Sequence, residues 1–182
     1  MSSVIGPPSF LTMKTLVIGL GNPILGDDGV GWKIAQEVER LLPSPLRPSP
    51  VGRGDGGEGE IRVECFSLAG ISLMEQMIGY ERVILIDSLN TGKHPQGAVV
   101  TFRLDELADL TYGHSASAHD LSLKNALVMG RSMGANLPDD KNVHIVAVEA
   151  QHIYDFGEEL TPKVEAAVPV AVEEVFKWLR DG

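Results

Sequence analysis

Leu16-Val17-Ile18-Gly19-Leu20-Gly21-Asn22-Pro23-Ile24-Leu25-Gly26-Asp27-Asp28-Gly29-Val30-Gly31 decides the fold. A short apolar run feeds a glycine-studded turn, and the turn ends on two adjacent carboxylates. Thr15–Leu20 is apolar and β-branched and reads as a buried strand. Val30, Ile34, Val38 and Leu41 then recur at helical spacing, so 29–42 reads as an amphipathic helix that Pro43 stops. In an open α/β sheet this order places acidic groups beyond the carboxyl end of a strand, where such folds bind ligands. A phosphate loop needs the opposite charge there. Gly19-Leu20-Gly21 lacks the third glycine of a dinucleotide fingerprint, Pro23 intrudes, and two aspartates would repel a pyrophosphate at the helix start.

The same alternation continues outward. Residues 61–67 read as a strand, 71–78 as a short helix, and 82–86 (RVILI) as a strand ended by Asp87. Residues 98–102 read as an antiparallel strand, because the connection from Ser88 is short and carries no helical pattern. A helix over 119–133 and a strand over 143–148 follow. Thr161-Pro162 opens a last helix striped by Val164, Val168, Val172, Val175 and Leu179, with a kink expected at Pro169. Residues 43–60 are rich in proline and glycine and read as a flexible loop; residues 1–13 read as a disordered extension. The expectation is one domain over 14–182, a three-layer α/β/α sandwich around a mainly parallel sheet.

Bulk properties narrow the function. The chain has 182 residues, 43% of them hydrophobic and 22% charged, which suits a single globular domain. Its net charge of -10 argues against nucleic acid as a partner. No apolar stretch reaches the ~18 residues of a membrane helix, and the first residues lack the pattern of a signal peptide. A single cysteine, Cys65, rules out an intrachain disulfide and agrees with a cytoplasmic location. Oligomeric state is not encoded in any pattern of the chain.

Three side chains occupy equivalent topological places. Asp28 follows the first strand, Asp87 ends the 82–86 strand, and His119 opens the helix before the last strand. In a parallel sheet the two carboxylates share the carboxyl edge, and the imidazole reaches the same crevice. Two carboxylates and one imidazole suit a divalent ion such as Zn²⁺ or Ni²⁺ with positions left open for another ligand. Each residue also has an ordinary account: a helix cap for Asp28, a turn residue for Asp87, a surface histidine for His119. With Asp28 turned into the cleft, Asp27 is the expected cap. Asn22, Glu149 and His152 are weaker candidates for a substrate groove, the last two with a solvated loop as the plain alternative. His114 stands in reserve for His119. Cys65 reads as a small buried residue, Glu37 and Arg40 as a solvated face. Ser115 and Ser117 lack the nucleophile-elbow pattern.

At these residues the sequence resembles the hydrogenase maturation endopeptidases. Gly19-Leu20-Gly21-Asn22, the pair Asp27-Asp28 and Gly29-Val30-Gly31 match the family's opening; Asp87 in ILIDSL and His119 in SAHDLSL match its other landmarks, and Leu160 to Glu165 match the start of its last helix. The resemblance spans roughly Lys14 to Leu179. It implies a mixed five-stranded sheet and an endopeptidase that removes the C-terminal extension of a nickel–iron hydrogenase large-subunit precursor. It also implies that Asp28, Asp87 and His119 are metal ligands recognising nickel supplied by the substrate, with zinc or cadmium as surrogates. Two mechanisms follow: the metal polarises the carbonyl and acidifies a bound water, or Asp28 or Asp87 acts as general base. The alternative class is a non-catalytic metal-sensing or chaperone-like partner of a metalloprotein. The chain departs from the family by Asp28, where glutamate is frequent, and by Cys65-Phe66-Ser67-Leu68, where many members carry Asp-Gly-Gly-Thr. The second departure falls in a turn expected to flank the cleft and implies a subgroup serving a different class of hydrogenase. Gly19-Leu20-Gly21-Asn22-Pro23 also opens peptidyl-tRNA hydrolases, but the histidine-bearing stretch that should follow is missing, and the acidic balance disfavours tRNA.

Overall fold

A computed structural model describes residues 13–43, 60–106 and 118–180, the side chains of 118–122 excepted. Five strands form one sheet: β1 (Thr15–Leu20), β2 (Ile61–Phe66), β3 (Arg82–Leu89), β4 (Val99–Arg103) and β5 (Val143–Glu149), in the order β2-β1-β3-β5-β4. All pairings are parallel except β4 with β5, which is antiparallel. Among the described residues four helices cover the sheet: α1 (Val30–Leu41), α2 (Gly70–Gln76), α3 (Ala118–Ser132) and α4 (Pro162–Arg180). The three-layer arrangement and the reversed strand agree with the sequence reading. Residues 1–12 and most of the 43–60 loop lie outside the described residues, as do His114, Ser115 and Ser117.

β1 is buried along its whole length because it lies inside the sheet with helices on both faces. Side chains alternate across it. Val17 of β1 with Ile84 and Ile86 of β3 joins the core under α1 and α4, whereas Leu16, Ile18, Val83 and Leu85 join the core under α2 and α3. Continuing that alternation puts Asp87 on the α2–α3 face. Asp87 does not end its strand, as the sequence suggested, because β3 runs on to Leu89 and pairs there with Glu149.

Close approach of α1 to the sheet depends on two glycines. A Cβ on Gly31 would overlap the Leu20 carbonyl oxygen and lie 2.5 Å from that of Ile86; one on Gly19 would lie 2.5 Å from the Gly31 oxygen. The helix therefore rests directly on β1 and β3, burying Val30, Ile34 and Val38. It stops where Leu42, extended at φ -60° and ψ 134°, precedes Pro43. α4 continues through Pro169 as one helix. Its last turn is held by buried Arg82, which donates to Thr15 Oγ1 at 3.1 Å and to the carbonyls of Trp178 at 2.9 Å and Leu179 at 3.4 Å. A cation there completes helix-end acceptors and complements the dipole. Among the described residues no helix is long and apolar enough to cross a membrane.

Candidate active site

The chain after β1 crosses by α1 to β2 on one side, while β3 leads on toward β5 and β4 on the other. The crevice at such a switch point opens beyond the carboxyl ends of β1 and β3. A cavity of about 460 Å³ lies there, lined among others by Asn22, Asp28, Ser67, Asp87, Ser88 and Tyr154. Asp28 and Asp87 thus share one cavity.

Asp28 sits in the 3-10 turn Gly26–Gly29 that leads into α1. Gly21 makes room for it: its φ is +117°, and a Cβ there would overlap the Asp28 carbonyl oxygen. The carboxylate is half-buried and accepts from the Asn22 amide at 2.7 Å and from Ser88 Oγ at 3.0 Å. An ionised carboxylate has about four lone-pair sites, so two donors leave room for a cation or a water. Asp87, also half-buried, accepts the Ser88 amide at 2.8 Å. Asn22 lines the cavity, and its Oδ1 accepts the Ile24 amide at 3.2 Å. Ser67 joins the end of β2 to this turn by donating to the Gly21 carbonyl at 2.6 Å.

His119 lies in the first turn of α3, and its side chain is outside the described residues. α3 leads back to the start of β5, so its opposite, N-terminal end points toward the carboxyl edge of the sheet. It covers the face on which the alternation places Asp87. Among the described residues no three His, Cys, Asp or Glu side chains form a metal cluster.

Two expectations, for Asp27 and Glu149, need correcting, and His152 takes its plain alternative of a solvated loop. Asp27 does not cap α1, whose start has no side-chain cap. It is fully buried and accepts from Thr161 N at 2.7 Å, Thr161 Oγ1 at 2.9 Å and Gln96 Nε2 at 3.3 Å, tying the turn to the start of α4. Glu149 is neither groove nor solvated loop. It is the buried last residue of β5 and accepts from Thr91 N at 2.8 Å, Thr91 Oγ1 at 2.7 Å and Gly92 N at 2.7 Å, which folds the loop between β3 and β4. His152 is exposed and outside the cavity lining, paired through Nδ1 with Asp155 at 2.7 Å, while its carbonyl accepts the Asp27 amide. The turn at Ser67 and Leu68 flanks the cavity as expected, and the lining residues that sequence reasoning missed are Ser88, Asn90, Ile153 and Tyr154. Ser88 had a signal, being next to Asp87; Tyr154 had none, because its loop returns from β5. Cys65 packs against the α1–α4 core, and burial, aided by Glu39 and Glu64, pushes its thiol up to about 11. It stays protonated and inert at neutral pH.

The family model of the hydrogenase maturation proteases (HycI) matches residues 68–178, more than half of the chain. The chain belongs to the hydrogenase maturation protease family. The hydrogenase 2 maturation protease of Escherichia coli is 29% identical over 171 residues, covering 93% of each protein. The hydrogenase expression/formation protein HupD of Rhodobacter capsulatus is 25% identical over 95% of this chain and 74% of its own. The structure of the hydrogenase maturating endopeptidase HybD from E. coli superposes with a TM-score of 0.67 at 27% identity, covering 93% of each chain. Matches of this extent support peptidase activity in general.

Proposed function

We propose that the protein is a cytoplasmic endopeptidase that removes the C-terminal extension from a nickel-loaded [NiFe]-hydrogenase large-subunit precursor. The observation that carries this reading is the shared cavity of Asp28 and Asp87 at the switch point of the sheet. The likeness to a hydrogenase 2 maturation protease and to a hydrogenase expression/formation protein supports the choice of partner. Nickel belongs to the substrate: Asp28, Asp87 and His119 recognise it in the precursor, and zinc or cadmium occupies the same ligands as a surrogate. Carboxylates and an imidazole are a suitable donor set for such ions. The Asn22 amide and the Ser88 hydroxyl hold Asp28 as an acceptor turned into the cavity. Once the precursor is seated, Asp28 or Asp87 takes the proton of the attacking water.

The test incubates the protein with nickel-loaded precursor and reads the precursor's C-terminus by mass spectrometry. Wild type shortens it; Asp28→Ala and His119→Ala leave it intact while keeping a native circular dichroism spectrum. A precursor that binds wild type yet keeps its tail would make the protein a metal-sensing partner instead. Processing at the wild-type rate by either variant would remove that residue from the site.

A further inference from the structure

The loop after β5 carries two of the most exposed aromatic side chains among the described residues, Tyr154 at 79% and Phe156 at 88% exposure. Ile24, 49% exposed, lies on the turn that leads to Asp28, its backbone paired with Gly157, the residue after Phe156. Single exposed apolar residues are common on protein surfaces. These three are set apart by how they are held. Gly157 N donates to the Ile24 carbonyl at 3.0 Å, Gly26 N to the Gly157 carbonyl at 2.7 Å, and Asp27 N to the His152 carbonyl at 3.2 Å. The two segments form a short parallel bridge at Leu25 and Gly157. An aromatic side chain on a fixed backbone loses little entropy when a partner covers it, which makes it an effective anchor.

Tyr154 also lines the cavity that holds Asp28 and Asp87, so whatever lies on this patch leads into the carboxylates. The loop is acidic: exposed Asp155, paired with His152, stands between the aromatics in sequence, exposed Glu158 follows them, and residues 151–160 contain no Lys or Arg; Glu159 lines a separate cavity with Lys33 and Arg40. Two copies of so acidic a patch repel each other across a two-fold contact, and anionic lipid or nucleic acid is disfavoured for the same reason.

We propose that Ile24, Tyr154 and Phe156 form a docking platform for an extended segment of the precursor polypeptide in which an apolar side chain stands beside Lys or Arg. The inference rests on the reading of the protein as a precursor-processing peptidase. The apolar side chain packs between Tyr154 and Phe156, the cation faces Asp155 and Glu158, and the chain continues into the cavity.

Calorimetric titration of the metal-loaded precursor into wild type, Tyr154→Ala/Phe156→Ala and Glu158→Lys tests the platform, with KM and kcat for processing measured alongside. The double variant should bind about tenfold more weakly or worse, with KM rising more than kcat falls. Glu158→Lys should weaken binding at low salt and converge on wild type near ~1 M salt, where charges are screened over about 3 Å. All replaced side chains are exposed, and an unchanged urea midpoint verifies folding. Equal affinities for wild type and the double variant overturn the platform. So does a wild-type dimer, seen by sedimentation, that the double variant dissolves, since the patch then serves a second copy. If wild type binds but does not cleave, the peptidase reading falls, and the affinities still judge the platform.

Discussion

His144 on β5 is 8% exposed, and its ring stacks on Trp178 with centroids 4.1 Å apart. Its Nδ1 is buried with no hydrogen-bond partner among the described residues. Burial, with the Arg82 and Arg103 cations and against the weaker pull of Asp105 and Glu106, lowers its pKa to about 4. In the unfolded chain the imidazole titrates near 6.5. The unfolded state therefore binds the extra proton between those values. The contribution of neutral His144 is complete above pH 6.5 and is lost as pH falls toward 4, to the extent of about 3 kcal/mol. His144→Phe, which keeps the stack, should flatten urea stability over that window relative to wild type; parallel curves would refute the assignment. Residues differ in how far sequence betrays them. The place of Asp28 in the cavity was legible because a turn that follows a strand of an α/β sheet lies at the carboxyl edge. Asp27 was not, because its partner Thr161 stands 134 positions away and spacing alone argues for a local cap.

At the scale of elements, the contact between β1 and α1 has the least slack. Gly31→Ala would set a methyl against the backbone oxygens of Leu20 and Ile86, neither of which can turn aside. The expected loss is about 3 kcal/mol or more, read as a lower urea midpoint, with processing reduced because Asp28 is carried on the displaced turn. A midpoint equal to wild type would show that α1 shifts freely. The strands were legible in outline because each has a long apolar or β-branched run, and β1 holds to its expected bounds. The carboxyl end of β3 was not: Asp87 and Ser88 break the apolar pattern, and only pairing with β5 keeps them in the strand. The loop after β5 has no periodicity at all, so its return to the cavity is a tertiary fact.

For the whole molecule, α4 is fastened at both ends by polar groups from distant parts of the chain. Arg82 at the start of β3 holds its last carbonyls, and Asp27 holds its first residues through Thr161. Asp27→Ala would leave the half-buried Thr161 amide and hydroxyl without this acceptor, a loss of about 2 kcal/mol by thermal or urea unfolding. Asp27→Asn, which keeps one acceptor oxygen, should lose less. Equal losses would mean that the charge, rather than the hydrogen bonds, fastens the helix.

The fastening of Asp27 to Thr161 has a consequence in time. During synthesis the turn that carries Asp28 leaves the ribosome long before the helix that locks it, the two partners being 134 residues apart. At about 5–20 residues per second that gap lasts on the order of ten seconds. For most of it the turn belongs to an unfinished sheet, whose last strand ends at Glu149. The crevice takes its working shape as one of the last acts of the chain's own making.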